Sequence, residues 1–222
     1  MKNLHTSMIC TLLAVVSAQG QIAFQNLDFE AAHNLPLAGG DVAISNAMPS
    51  WTAFAGSNVL ATIPYNIAYI VPQVGLYGSN TLEISGAFSV LLRGNGSISQ
   101  TGLIPGDAES LIFKGRWTSL TPLEISLGGQ SLSYIAISSG ADYTLYGAEI
   151  SAFSGETVRL DFLATTPSFY LIDDIQFSPQ VIPEPSSLAV LVSGGIIAAN
   201  RFVRRRKANL QGREHQPDVE RL

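Results

Sequence analysis

Short apolar runs and alternating apolar–polar stretches recur through the central part of this chain. Five of them have the length and the two-residue period of β-strands, at 111–113, 123–127, 132–137, 158–163 and 169–177. Turns that contain glycine, serine or proline lie around and between them, at 94–96, 105–107, 128–129, 139–140 and 154–155. Strands spaced by about ten residues, with no long amphipathic helix, predict an all-β domain built as an antiparallel β-sandwich.

A different pattern opens the chain and predicts a secretory signal peptide over residues 1–20. Lys2 supplies a positive charge, and 8–16 form an apolar stretch that is too short to span a membrane. Small residues at 16–18 or 18–20 offer a cleavage site. The alternative is a buried N-terminal helix.

The far end of the chain combines three features that together predict processing and anchoring. Pro183-Glu184-Pro185 favours an extended backbone, and an apolar run follows at 188–199. Arg204, Arg205, Arg206 and Lys207 then form a basic cluster, which by the positive-inside rule stays cytoplasmic. We therefore expect a single transmembrane helix, a marginal span, at 188–203. The alternative is a buried core helix with a basic, solvated end.

This tail closely resembles the PEP-CTERM sorting signal of Gram-negative bacteria. The resemblance rests on 183–189, the apolar run and the basic cluster at 204–207. It implies recognition by an exosortase, a membrane-embedded protease, after transient anchoring in the inner membrane. The implied organisation is a signal peptide at 1–20, an ectodomain at 21–179, a linker with the sorting motif at 180–187, an anchor at 188–203 and a basic cytoplasmic tail at 204–222.

Composition narrows what the ectodomain can do. Cys10 is the only cysteine and falls within the signal peptide, so the mature protein has neither disulfides nor a thiol nucleophile. Residues 21–179 carry 4 basic and 13 acidic residues, a net charge of −9. A domain this acidic, without a basic face, is not expected to bind nucleic acid.

Few residues suggest catalysis, and we expect no enzyme activity. His33 is the only histidine between the two signals, so neither a histidine metal cluster nor a secure Ser-His-Asp triad can be assembled. Paired carboxylates could still hydrolyse glycosidic bonds, with candidates Glu83, Glu124, Glu149 and Asp161. In alternating strands these residues are more typical of a solvated face.

The layout of 22–178 loosely resembles galactose-binding-like jelly rolls and related carbohydrate-binding modules. The resemblance rests on 26–30, interpreted as a first strand, on Pro49-Ser50-Trp51, and on the Asp173-Asp174 pair of the last strand. It implies a jelly-roll topology. It also implies a structural Ca²⁺ site tying the first strand to the last, with oxygens from Asp28, Glu30 and one of the pair Asp173 and Asp174. The alternative is an aspartate that hydrogen-bonds a loop without metal.

The two tryptophans are candidate sugar platforms, because an aromatic face can stack on a pyranose ring. Trp51 and Trp117 could equally be core residues of the sandwich. Adjacent strand residues face opposite sides, so Arg116 would not share a site with Trp117, and only one of Asp173 and Asp174 would point inward.

These patterns together predict an exported, non-catalytic protein of the cell envelope or exopolysaccharide matrix, with a role in adhesion or matrix structure. A specific carbohydrate-binding module is the alternative, and a carboxylate-dependent glycoside hydrolase is a further one. The expected partners are the exosortase-type protease, the inner membrane before processing, and an exopolysaccharide.

Overall fold

The computed structural model describes residues 22–67, 73–78, 82–117 and 121–182. The predicted signal peptide, the sorting motif Pro183-Glu184-Pro185, the apolar segment 188–203 and the basic cluster 204–207 lie outside the described residues. Within the described ranges, no helix is both long enough and apolar enough to cross a membrane.

The described chain is built almost entirely of strands. In chain order they are β1 (Gly40–Ala43), β2 (Thr52–Ala55), β3 (Asn58–Val59), β4 (Thr62–Tyr65), β5 (Val74–Gly78), β6 (Phe88–Leu92), β7 (Gly96–Leu103), β8 (Ser110–Trp117), β9 (Glu124–Leu127), β10 (Gln130–Ser131), β11 (Tyr134–Ser139), β12 (Thr144–Glu149), β13 (Thr157–Leu163) and β14 (Tyr170–Ser178). A one-turn helix α1 (Ile44–Ala47) and a 3-10 turn (Ser151–Phe153) accompany them.

The strands form two sheets, which confirms the prediction of an all-β sandwich. The larger sheet has the order β1-β4-β5-β6-β14-β8-β12-β11, and the smaller has the order β10-β9-β13-β7-β2-β3. Pairing is antiparallel except between β4 and β5, which pair in parallel through Tyr65 and Leu76. The prediction of antiparallel pairing is therefore wrong for β4 and β5. The jelly-roll topology stays a prediction.

One hydrophobic core fills the space between the sheets. Ile98 and Phe162 of the smaller sheet and Phe113 and Ile172 of the larger sheet are fully buried in it. Full burial of a side chain of this size contributes about 1.5–3 kcal/mol. In β9 and β13 buried residues alternate with polar ones, as the pattern at 123–127 and 158–163 predicts, whereas β8 and β14 contain the apolar runs at 111–113 and 169–177.

A second, smaller cluster lies on the outer face of the larger sheet. Leu91 of β6 and Leu171 of β14 point away from the main core and pack with Tyr77 and Ile84. Ile84 belongs to a segment without regular structure, Leu82–Ala87, which covers this part of the sheet. These side chains are therefore shielded from solvent, although they lie on the outer face of the sheet.

The prediction of a first strand at 26–30 is wrong, because this segment forms turns. Asn26 and Phe29 have φ values of +50° and +58°, which extended strands do not adopt. The Asn26 side chain explains the change: its Oδ1 accepts a hydrogen bond from the Ala31 amide, and its Nδ2 donates to the Pro49 carbonyl. Asparagine stabilises turns in this way.

The domain continues beyond β14 into residues assigned to the linker. The Ser110 hydroxyl donates to the Gln180 carbonyl at 2.7 Å, and Ile182 is only 8% exposed. The Ile182 side chain lies over Gly147, where a Cβ atom would collide with it. The first residues of the predicted linker are therefore attached to the domain, through the Gln180 carbonyl and the Ile182 side chain.

Candidate functional site

The Asp173-Asp174 pair lies at a β-bulge in the last strand. The register of β14 against β8 shifts between Asp173 and Gln176, and Asp174 has a φ of +51°. The extra residue of a bulge re-aims the side chains around it. Both carboxylates therefore contact groups on the outer face of the larger sheet, which corrects the expectation that only one of them would face that side.

Asp174 forms an ion pair with Lys114 of the neighbouring strand β8. Lys114 Nζ lies 2.6 Å from Asp174 Oδ2, and it donates to Ser85 Oγ at 2.7 Å. Ser85 Oγ in turn donates to Asp174 Oδ2 at 3.2 Å. The hydrogen bond to Asp174 raises the pKa of Lys114, so this lysine is held in its charged form.

Asp173 is 1% exposed and is buried beneath residues 82–87, which we call the covering segment. Its Oδ2 accepts a hydrogen bond from the Ser89 hydroxyl at 2.8 Å, and its Oδ1 accepts one from the Asp174 amide at 2.7 Å. The Ile84 amide donates to the same Ser89 hydroxyl. Burial raises the pKa of Asp173 to about 7. The negative charges of Asp174 and Glu30 raise the pKa further, whereas the hydrogen bonds from Ser89 and the Asp174 amide lower it.

Glu30 binds the covering segment from the other side. Its Oε1 accepts hydrogen bonds from the amides of Ala87 at 2.7 Å and Phe88 at 3.0 Å. Gly86 lies against this carboxylate, at a φ of +56° and with no room for a Cβ atom. We call Glu30, Ser85, Ser89, Lys114, Asp173 and Asp174 the Asp173 cluster.

The four carboxylates predicted to bind Ca²⁺ have protein partners. Asp28 is exposed, and its Oδ1 accepts a long hydrogen bond from the Glu30 amide at 3.3 Å. Among residues 22–67, 73–78, 82–117 and 121–182, no group of three or more His, Cys, Asp or Glu is arranged to hold a metal ion. The first and last segments are held together by a backbone hydrogen bond, which the Ile175 amide donates to the Leu27 carbonyl.

The Asp173 cluster is suited to holding the covering segment rather than to catalysis. A Ser–Lys pair needs a neutral amine to take the serine proton, and Lys114 is kept charged by Asp174. Asp173 titrates near neutral pH but is enclosed, so no substrate can reach it. The remaining chemistry is a set of hydrogen bonds that depends on the protonation of one buried carboxyl group.

Trp51 is a core residue, so its assignment as a sugar platform is corrected. It is 4% exposed and packs against Phe29 and Phe162, with ring centroids 5.6 and 6.5 Å away. Its indole N–H donates to the Asn26 carbonyl at 2.9 Å. A sugar ring has no access to either face of this side chain.

Trp117 is half-buried at the end of β8 and also packs inward. It stacks on Tyr146 at 4.4 Å with an interplanar angle of 13°, and Tyr134 and Tyr170 contact it at other angles. Arg116 faces the other side and donates to the Leu82 carbonyl, as the strand alternation predicts. A sugar platform at Trp117 stays a prediction, with one of its faces already occupied by Tyr146.

Of the four candidates for carboxylate catalysis, only Glu124 and Asp161 lie close together. Glu149 caps the following 3-10 turn by accepting from the Ser151 amide, and Glu83 lies in the covering segment. Glu124 and Asp161 instead line the same open depression on the smaller sheet. His33 is exposed and hydrogen-bonds the Ala31 carbonyl within its own loop.

Sequence reasoning found the aspartate pair but missed its partners. Lys114 is one of only four basic residues between positions 21 and 179, and it directly follows the strand predicted at 111–113, which was the available signal. Ser85 and Ser89 lie far from it along the chain, in a stretch without periodicity. Comparison of the sequence with models of known protein families and with curated proteins finds no match.

Proposed function

We propose that this chain is an exported, non-catalytic protein of the cell envelope or exopolysaccharide matrix, sorted by its C-terminal signal. The observation that carries the proposal is the end of the β-sandwich. The Ser110 hydroxyl holds the Gln180 carbonyl, Ile182 is buried against the domain, and Pro183-Glu184-Pro185 follows directly in the sequence. A folded cargo joined without a long spacer to a processing motif fits release or transfer of the whole domain by an exosortase.

The chemistry of the described residues supports a non-catalytic role. Lys114 and Asp174 neutralise each other, Asp173 is enclosed, and His33 is exposed and hydrogen-bonds the Ala31 carbonyl of its own loop. Glu124 is exposed on an open face, whereas the general acid of a glycoside hydrolase is normally enclosed. A jelly-roll sandwich with one continuous hydrophobic core between its sheets would serve adhesion or matrix structure.

Mass spectrometry of the protein from its host tests the sorting proposal. We expect a mature species that lacks residues 1–20 and everything beyond the Pro183 region, located in the outer envelope or the medium. Replacing Pro183, Glu184 and Pro185 together by alanine should leave the C-terminus intact and the protein in the inner membrane. Pro179→Ala, outside the motif, is the matched control and should be processed normally.

An intact C-terminus in wild-type protein from the inner membrane would contradict the proposal. So would equal processing of the alanine variant and wild type, because the motif would then play no part in recognition.

A further inference from the structure

Residues 180–182 lie against the outer face of the larger sheet, and we call them the strap. The hydroxyl of the fully buried Ser110 donates to the Gln180 carbonyl at 2.7 Å, and the Gln180 amide donates to the Ser178 hydroxyl at 3.1 Å. Strand β14 ends at Ser178, so the strap lies beyond the strand ladder. It can therefore detach without breaking the pairing of β14 with β8.

Ile182 is seated over Gly147 in the middle of β12. The strand register places Gly147 between Ile112 of β8 and Ile135 of β11. A Cβ atom on Gly147 would collide with the Ile182 side chain, so the glycine provides the space that Ile182 occupies. Ile182 is 8% exposed as a result, whereas Val181 before it is 68% exposed.

An apolar groove of about 380 Å³ surrounds this seat. Besides the strap itself, aliphatic side chains of β8, β11 and β12 line the groove, namely Ile112, Ile135, Ile137 and Leu145. The strap is therefore held mainly by the burial of one aliphatic side chain, together with the hydrogen bond from Ser110.

An attachment of this size is reversible. Burial of one isoleucine side chain favours the docked strap over the detached strap by roughly ten- to a hundredfold. Segments at the end of a domain can open locally in this way while the remainder stays folded. The domain therefore samples a minor state in which residues 180–182 are free of the sheet.

The position of the strap matters because the sorting motif begins at the next residue, Pro183. From Ile182 to the start of the apolar run at 188, the chain covers at most about 20 Å. Detachment of the strap adds three residues, or about 10 Å, to this reach. While the strap is docked, a protease in the membrane meets the motif directly beneath a folded domain.

We propose that the strap restrains cleavage at the sorting motif, and that Ile182 must leave its seat before the protease can bind the chain. Proteins that bind peptides as strands hold an extended stretch of backbone, and a protease requires such a stretch on both sides of the bond that it cuts. The residues before Pro183 are the strap, which the sheet holds. Cleavage therefore proceeds through the detached state, and its rate follows the population of that state.

This inference rests on the proposed function, since it concerns access to the proposed sorting motif. The two can nevertheless fail separately. A protein that is processed normally, but at a rate that does not depend on the seat of Ile182, would leave the sorting proposal standing and refute the strap.

The first test exposes the full chain, in detergent micelles, to proteinase K as a protease of broad specificity. Mass spectrometry follows the cuts between positions 179 and 185. Gly147→Val is the main variant, because it displaces Ile182 without changing the sequence that the protease binds. We expect these cuts to appear about tenfold faster, or more, than in wild type.

Two matched controls lie in the strap itself. Val181→Ser removes an apolar side chain that is already exposed, and Ile182→Leu keeps an apolar side chain in the seat. Both should be cut within about threefold of the wild-type rate. If circular dichroism shows that Gly147→Val does not fold, Ile182→Ser carries the test, with the same expected acceleration.

The second test follows processing in the host by pulse–chase labelling. Gly147→Val should lose its C-terminal segment faster than wild type, whereas Val181→Ser should match wild type. Because the sorting motif is unchanged in both variants, a difference between them reports on the strap alone.

Two outcomes would overturn the inference. Proteinase K could cut Gly147→Val and wild type at the same rate, or the host could process a folded Gly147→Val no faster than wild type. A wild-type protein that is not processed at all would refute the sorting proposal instead, and the proteinase K rates would still decide whether the strap shields this part of the chain.

Discussion

Lys114 Nζ and Asp174 Oδ2 lie 2.6 Å apart on the outer face of the larger sheet, beside a carboxyl group that is almost completely buried. The bulge in β14 makes this contact, because it turns Asp174 toward the strand that carries Lys114. The pair and Ser85 hold the covering segment Leu82–Ala87 against the sheet. Three sequence-distant regions thus meet at one ion pair.

We expect this ion pair to stabilise the fold measurably. The two side chains are 20% and 28% exposed, so solvent screens them only in part. A double-mutant cycle with Lys114→Met and Asp174→Asn, measured by urea unfolding, should give a coupling free energy of about 1 kcal/mol. Lys114→Met alone should lower the free energy of unfolding by more than this coupling free energy, since it leaves Asp174 beside Asp173 without a counter-charge.

The Arg159–Asp161 pair provides the control cycle for this measurement. The Arg159 side chain is 52% exposed, so the coupling there should be about 0.5 kcal/mol or less. Equal coupling free energies at both pairs would show that the position of Lys114 beneath the covering segment does not strengthen its ion pair with Asp174.

Stability should depend on pH through Asp173. Its pKa is raised from 3.8 to about 7, so the folded state holds a proton that the unfolded state releases earlier. The stabilising contribution is therefore complete below about pH 4 and is lost as the pH rises through about 7. Asp173→Asn, which cannot ionise, should gain stability relative to wild type on going from pH 5 to pH 8, by roughly 2 kcal/mol.

Urea unfolding of both proteins at the two pH values checks this, because the other titrating groups are shared and cancel in the difference. Asp174, Glu30 and Lys114 face the same carboxyl group and set the size of the effect. A stability difference that is identical at pH 5 and pH 8 would rule out Asp173 as the titrating group.

Gly86→Ala should weaken the attachment of the covering segment. Gly86 has a φ of +56°, and a Cβ atom there would collide with Glu30, which accepts the amides of Ala87 and Phe88. We expect a loss of about 2 kcal/mol in thermal unfolding, of which about 1 kcal/mol comes from the backbone conformation.

Gly94→Ala separates the two contributions, because Gly94 has a φ of +55° and nothing within 4 Å of the added atom. Gly94→Ala should therefore lose only the stability that the backbone conformation accounts for, about 1 kcal/mol. If both variants lose the same stability, Glu30 does not restrict the position of Gly86.

Period-two alternation was enough to predict β9 and β13, because a strand between a core and a surface must alternate its side chains, whereas β8 and β14 were predictable from short apolar runs. The strand expected at 26–30 failed for a local reason. Asn26 uses its side chain to stabilise a turn, and this hydrogen bonding outweighs the apolar spacing of Leu27 and Phe29. Trp51 could not be assigned to core or surface from its neighbours in sequence.

The strand-rich class of the domain, its acidity, the lack of cysteine between positions 21 and 179 and the place of the predicted sorting motif can all be seen in the amino-acid sequence alone. These properties depend on local order and composition alone. Contacts between distant parts of the chain place Asp173 and Asp174 on one face, bring Lys114 and Ser89 to them, and align Thr52, Ser99, Asp161 and Ser126 in one row. Strand order, register and a single bulge fix those contacts, and they arise from pairing between residues distant in the chain, which no local pattern records.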